Sequence, residues 1–323
     1  MNGFLPRTLI EAASFADPTF VGGATDIMPL IRNEVRDDEN LILLKNIPEL
    51  KELRDTPEHI VIGSGVRLAE LARSELINTR CAAVAQAAAV TASPQIRNIA
   101  TIGGNVMQDR RCIYFNQSEQ WRGALPLCYK TGGEVCHQIP NSPVCRAIYY
   151  SDLATALIAL DAEAEYLEQG ELRRTSVQEL VQRHSASNGR SCHARLKILI
   201  IRFLIPHLAP GARCGFYKYA MRATIDFPLI NFALRCGAGE ARAVAGAVAP
   251  HPVVLEQTAR LLDTQAADEE ITAACEAELK KLAMPIQEAC ISPALKRQLY
   301  RHISFLLYLR RQEPDGAADS SDL

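Results

Sequence analysis

Four cysteines, Cys112, Cys128, Cys136 and Cys145, fall within 34 residues of a 323-residue chain, separated by fifteen, seven and eight residues. Four thiolates can satisfy either tetrahedral zinc or an iron–sulfur cluster. Zinc modules usually bring their ligands in close C-x₂₋₄-C pairs, and this stretch has none. A cubane is larger and tolerates ligands from well-separated points of a wrapping loop. The spacing therefore leans slightly toward a cluster and leaves zinc open. A disulfide cage would need an oxidising compartment. Unliganded core thiols fit poorly, because DRRCIYFNQSEQWRGALPLCYKTGGEVCHQIPNSPVC is too polar to bury four of them. His137 adjoins Cys136, but four thiolates already complete a site. Trp121, Tyr114, Phe115 and Tyr129 read as packing that shields sulfur from water.

Two glycine turns are the other chemical signal. In VGGATDI, Gly22 and Gly23 follow a strand-like run, and Thr25 and Asp26 open a helix. Glycine lets the backbone turn sharply and lets a ligand approach its N–H groups, while a helix N-terminus favours an anion. In TIGGN, Thr101 offers a hydroxyl, Gly103 and Gly104 a bare backbone, and Asn105 an amide that donates and accepts. Neither turn has the G-x-x-x-x-G-K-[ST] or G-x-G-x-x-G pattern, which argues against a nucleotide triphosphatase. Each alone is an ordinary tight turn. Together, about 80 residues apart, they could bracket the ends of a dinucleotide.

The elements around them follow from periodicity. DPTFVGG, LILLKNI and EHIVIGSGV read as strands, and ATI of TIGGN as another. RLAELARSELI and the Ala-rich TRCAAVAQAAAVTAS read as helices that pack closely. Residues 106–150 have no sustained period and read as a ligand-organised loop. SDLATALIALDAEAEYL gives a helix from Asp152, placed as a cap or first-turn acid, and then a strand. LRRTSVQELVQRH gives a strand, a cap and a helix. Past residue 195 come four strand-like runs, then helices near 253–264, 267–282 and 293–311. The expected class is α+β, with an N-terminal part over 1–195, a C-terminal part of antiparallel sheet plus helices over 196–311, and a disordered tail over 312–323.

Hydrophobic residues make up 48% and charged residues 22%, a globular balance, and the net charge of −2 argues against a nucleic-acid partner. The start lacks an apolar signal segment, and LKILIIRFLIP is too short and too interrupted to span a bilayer. A cytoplasmic, thiol-reducing location is expected. The remaining cysteines (Cys81, Cys192, Cys214, Cys236, Cys275 and Cys290) read mostly as small core residues.

The order GGATD, QIRNIATIGGN, SDLATALIALDA and FYKYAMRATIDFPLINFAL resembles the flavin-binding subunit of the xanthine oxidase family of molybdenum hydroxylases, over nearly the whole chain to about residue 311. The cysteine insertion resembles that of the 4-hydroxybenzoyl-CoA reductase β-subunit branch, where the loop carries an extra 4Fe–4S cluster. The resemblance implies an FAD-binding fold of two α+β subdomains and a smaller C-terminal domain. It implies that Phe20, Val21, Gly22, Gly23, Ala24, Thr25, Asp26 and Ile27 wrap the FAD pyrophosphate. It places Thr101, Ile102, Gly103, Gly104 and Asn105 near the flavin's inner half, Asp152 at the ribityl or pyrophosphate region, and Lys218 and Asp226 near the isoalloxazine. Cys112, Cys128, Cys136 and Cys145 become cluster ligands. The bland alternatives are a surface role for Lys218 and helix capping for Asp26. The chain departs from the branch in reading GGATD where GAGTD is typical, and in most non-cysteine positions of GEVCHQIPNSPVC.

The function so implied is an electron-transfer subunit of a molybdenum-dependent aromatic acyl-CoA reductase. It would relay electrons between an external donor such as ferredoxin and partner subunits holding the 2Fe–2S and molybdenum centres, in a dimer of heterotrimers. The alternative within the family is the oxidising direction, acting on an aldehyde or heterocycle. Outside it stand a zinc-stapled binding module without flavin and a self-contained flavin oxidase.

Overall fold

A computed structural model describes residues 2–190, 196–222 and 225–311; the expected tail and Cys192 lie outside these. Twelve strands among them form three sheets. Strands β1 (Asn2–Phe4), β2 (Thr19–Val21) and β3 (Asn40–Leu43) make a small parallel sheet in the order β1-β3-β2. Strands β4 (Leu53–Asp55), β5 (His59–Gly63), β6 (Glu163–Glu168), β7 (Glu171–Ser176) and β8 (Ile198–Pro206) make an antiparallel sheet in the order β4-β5-β8-β6-β7. Strands β9 (Arg213–Tyr219), β10 (Ile230–Cys236), β11 (Arg242–Gly246) and β12 (Val253–Val254) make a second antiparallel sheet, in chain order.

The four runs expected past residue 195 are strands, but the first of them, β8, belongs to the five-stranded sheet, between β5 and β6. Its sequence explains why. A strand buried on both faces reads as a continuous apolar run rather than an alternating one, and ILIIRFLI is such a run. Leu199 and Ile201 enter the core under the parallel sheet, whereas Phe203 and Ile205 enter the main core on the opposite face. These four share one parity, so the face must switch between 201 and 203. A register shift in the β6–β8 pairing sits there, passing over Ile201.

The main core lies between this sheet, the helices within 68–90, the helix Asp152–Ala159, and one face of the four-stranded sheet. The alanine run packs as its composition requires: Ala83, Ala85, Ala87 and Ala88 of the helix Ala82–Val90 are at most 2% exposed. Their small side chains bring the helix close enough for Gln86 Oε1 to accept from the Phe216 amide of β9 at 2.7 Å. A second core joins the other face of that sheet to the helices Glu256–Leu262, Asp268–Leu282 and Ser304–Arg311.

Two expected strands differ. LILLKNI is extended only to Leu43 and then closes into a 3-10 turn. ATI makes a single bridge, Thr101 to Arg67, and the chain then enters the short helix Ile102–Val106. Thr101 dictates this switch, because its hydroxyl accepts from the Gly104 amide as an N-cap. The loop 106–150 carries only one helical turn (Glu119–Arg122) and a 3-10 turn (Tyr129–Thr131). Four of the six scattered cysteines, Cys81, Cys214, Cys236 and Cys275, are buried, and Cys290 is exposed.

Candidate functional site

Both glycine turns line one cleft of about 620 Å³. It opens at the carboxyl ends of the parallel strands β2 and β3, where open α/β sheets bind ligands. Phe20 to Ile27 form one wall, Thr101, Gly103 and Gly104 another, and Leu196 to Ile200 a third. Lys45, Lys51 and Arg67 contribute cations, and Ser64 a hydroxyl. The two turns also interlock. A Cβ on Gly22 would lie 2.3 Å from Thr101 Oγ1, and one on Gly23 would lie 2.1 Å from the Ile99 carbonyl oxygen. Gly22 and Gly23 are therefore required by the chain of the second turn, whereas Gly103 is required by Ser64, whose Cβ would lie 2.8 Å from a methyl there. The helices behind the turns, Ile27–Arg32 and Ile102–Val106, have only six and five residues, so an anion here would meet loop amides and side chains rather than a long helix dipole.

The strained residue of GGATD is Ala24, at φ 61, where the branch it resembles carries glycine. An L-residue in that region costs roughly 1–2 kcal/mol. Ala24→Gly is expected to raise the unfolding free energy by about 1 kcal/mol. Denaturant titration checks this, and an unchanged midpoint would show the turn unstrained.

Asp26 does not cap its helix. Its carboxylate reaches instead to the root of the cysteine loop, accepting from the Asp109 amide at 3.0 Å and pairing with the Arg111 guanidinium. Arg111 in turn pairs through its backbone with Ile148, closing the loop's base. Arg36 belongs to the same corner, forming a two-pronged pair with Asp38 at 2.6 Å and reaching Asp109 at 3.5 Å. Arg36 and Asp37 also line a second cavity of about 540 Å³, whose other walls include Tyr114, Trp121, Cys128 and His137. Trp121 is 44% exposed and meets the Tyr114 ring at a tilt of 47°, so it rims this cavity rather than lidding the loop; Phe115 is the buried aromatic of the four.

The loop aims donors at three of the four sulfurs. Cys112 Sγ accepts from the Tyr114 amide at 3.4 Å and the Gln138 side-chain amide at 3.5 Å. Cys145 Sγ accepts from the Ala147 amide at 3.5 Å, and Cys128 from Thr131. A backbone bridge pairs Cys128 with Val135, the residue before Cys136. Burial pushes the Cys112 thiol up against its donors. Among the described residues no three Cys, His, Asp or Glu side chains converge as ligands of one metal ion.

Asp152 and Lys218 are brought together, but away from the cleft lining. The Asp152 carboxylate, 3% exposed, pairs with Lys218 Nζ at 3.2 Å and accepts from Asn231 at 2.6 Å and the Thr91 hydroxyl at 3.2 Å. Ser151, not Asp152, caps the helix. Lys218 is on the edge strand β9, yet its side chain is only 8% exposed. Asp226 pairs with Arg222 and its own neighbour's amide, also off the cleft. Asn105 accepts from Ser151 Oγ at 2.6 Å and so links the second glycine turn to that helix.

Sequence reasoning missed Arg36, Asp109 and Arg111, whose signal was only a charged run, and His184, which had none. His184 lines the cleft, with Nε2 3.0 Å from the Gln108 carbonyl and Nδ1 buried without a partner among the described residues. Burial pushes this imidazole below its ordinary value. The unfolded chain then binds the extra proton below about pH 6.5, so the stability tied to neutral His184 is lost as pH falls through that point. His184→Gln is expected to flatten this slope in urea titrations run across pH; an unaltered slope would exclude His184 as its source.

The cleft suits a dinucleotide: two walls are glycine turns, and cations sit beside them. Residues 3–208 match the family described as the FAD binding domain in molybdopterin dehydrogenase. The chain belongs to this family. It is an oxidoreductase subunit that binds FAD, of the molybdenum hydroxylase type. Its sequence is 26% identical over 252 residues to the FAD-binding subunit of an aldehyde oxidoreductase from Escherichia coli, covering 73% of this chain and 76% of that one. It is 30% identical over 106 residues to the carbon monoxide dehydrogenase medium chain of Hydrogenophaga pseudoflava, 31% and 37% of the two chains. The solved carbon monoxide dehydrogenase of that organism shares the fold, with a TM-score of 0.71 and 19% identity over 95% of this chain and 97% of that one. Quinoline 2-oxidoreductase from Pseudomonas putida 86 gives a TM-score of 0.71 at 17% identity, covering 95% and 96%. Such similarity establishes the α+β architecture of this family member. Among its described residues no helix is long and apolar enough to cross a membrane.

Proposed function

We propose that this FAD-binding subunit relays electrons through a second centre, a 4Fe–4S cluster held by Cys112, Cys128, Cys136 and Cys145, between an external carrier such as ferredoxin and partner subunits bearing 2Fe–2S and molybdenum centres. The observation that carries the reading is the Asp26 link. One carboxylate joins the glycine turn of the cleft to the root of the cysteine loop, so both centres would rest on one rigid corner. Amide donors on the sulfurs support metal-bound thiolates, since such hydrogen bonds stabilise the charged form and tune a cluster.

FAD, when bound, supplies an exchange of two electrons that can be taken singly. The chain's own part is positional. Gly22, Gly23, Ala24, Thr25 and Asp26 would cradle the pyrophosphate with Lys45 and Lys51 nearby, and Thr101 to Asn105 would flank the flavin's inner half. Asp152 and Lys218 would support that wall from behind through Asn105 and Ser151. The boundary between the FAD-binding part and the C-terminal part would then follow Pro206 rather than residue 195.

The cysteine insertion supports a reductive role like that of 4-hydroxybenzoyl-CoA reductase, in a dimer of heterotrimers. The alternative, oxidation of an aldehyde or heterocycle, is favoured by the similarity to an aldehyde oxidoreductase subunit. The test is a count of iron, acid-labile sulfide, zinc and FAD in anaerobically purified chain. Four irons and four sulfides beside one FAD are expected. Zinc or no metal beside FAD would remove the relay.

A further inference from the structure

Two cations are sealed inside the cysteine loop. Lys130 is 0% exposed and Arg110 3%. Lys130 Nζ donates to the Arg110 carbonyl at 2.7 Å and to Asn188 Oδ1 at 2.9 Å, and lies 4.0 Å from the centre of the Phe115 ring. The Arg110 guanidinium reaches the carbonyls of Cys145 and Ala147 at 3.5 and 3.4 Å, and its Nε is buried without a hydrogen-bond partner among the described residues. The fold makes room for it: a Cβ on Gly189 would lie 1.8 Å from the guanidinium.

Burying a charge without compensation costs several kcal/mol. The carboxylates near these cations are Asp109, which also reaches Arg36, and Asp26, which pairs with Arg111. Asp38 takes up Arg36 and Asp26 takes up Arg111, which leaves Asp109 to two cations, and these lie against the backbone that carries the thiols: the Arg110 guanidinium is 3.5 Å from the Cys145 carbonyl, and Lys130 stands two residues after Cys128. Thiols that bind metal give up their protons, and a cubane held by four thiolates is anionic overall.

We infer that Arg110 and Lys130 are the counter-cations of the group held by Cys112, Cys128, Cys136 and Cys145, and that they raise its reduction potential. The inference rests on the cluster reading above. Reduction adds one electron to the cluster and makes it more negative, and a fixed cation nearby favours that form. Neither residue is a ligand, and neither moves a proton.

The experiment is a redox titration of the purified chain, followed by the electron paramagnetic resonance signal of the reduced cluster, for wild type, Lys130→Met, Arg110→Gln and Arg110→Lys. Each neutral variant is expected to disfavour reduction at least tenfold, which for one electron is 59 mV, while Arg110→Lys stays near wild type. A neutral variant that keeps its iron and titrates with wild type would overturn the inference and leave the cluster reading standing. If both neutral variants fail to fold, Arg110→Lys decides: a tenfold shift with the charge retained would show that shape, not charge, sets the potential. Wild-type chain without iron would overturn the cluster reading and this inference with it.

Discussion

Lys218→Met is expected to destabilise the chain by about 3–5 kcal/mol, the usual effect of removing one partner from a buried ion pair. The reason lies in what remains. Asp152 would keep its place at the start of its helix, 3% exposed, with Asn231 and Thr91 as its hydrogen-bond partners. Burial already pushes this carboxyl up against the pull of Lys218. Without the lysine it would take up a proton at still higher pH in the folded state. The folded state then binds more protons than the unfolded state, so the deficit should shrink on acidification and widen in mild alkali. Adding Asp152→Asn should recover much of the loss, because the uncompensated charge is gone. Thermal unfolding of the single and double variants across pH measures this. A Lys218→Met chain with wild-type stability and an altered flavin spectrum would return Lys218 to the flavin and refute the structural role.

Gly23→Ala should be nearly as damaging, and for a different reason. Its new methyl would lie 2.1 Å from the Ile99 carbonyl oxygen, 2.7 Å from its carbon and 2.8 Å from Ala100 Cα. All three are backbone, so no side chain can rotate away and the turns must part. Overpacking of this kind costs roughly 1–3 kcal/mol, and we expect the upper end. Because both turns are walls of the same cleft, FAD content should fall with stability. Gly3→Ala, whose methyl would meet only Leu43 Cδ1 at 3.5 Å, serves as the control. Equal FAD content in the two variants would show that the turns do not need each other.

Local pattern carried a good part of this architecture. Alternation and turn residues marked β2, β5, β6 and β7, and helical period marked the helices of the C-terminal part. The pairing of the glycine turns was also legible, because two such turns in one α+β region have few other uses. What local pattern could not show was pairing at a distance. Nothing in LKILIIRFLIP says that it slots between strands ending 135 and 30 residues earlier, at Gly63 and Glu168. The short helix after Thr101 was masked because ATI has strand propensity while a single hydroxyl cap overrides it. The Asp26–Arg111 link was invisible for the same reason as β8: its partners lie 85 residues apart.

The placement of β8 sets an order of events during synthesis. The cleft takes its third wall from Leu196 to Ile200, and the five-stranded sheet has no centre until β8 enters between β5 and β6. A ribosome must therefore release the chain through β8 before FAD has a place to bind, whereas the last of the four clustered thiols, Cys145, has emerged some fifty residues earlier. At elongation rates of roughly 5–20 residues per second this leaves several seconds in which the thiols are out and the flavin cleft is not. Flavin capture would belong to the end of that interval.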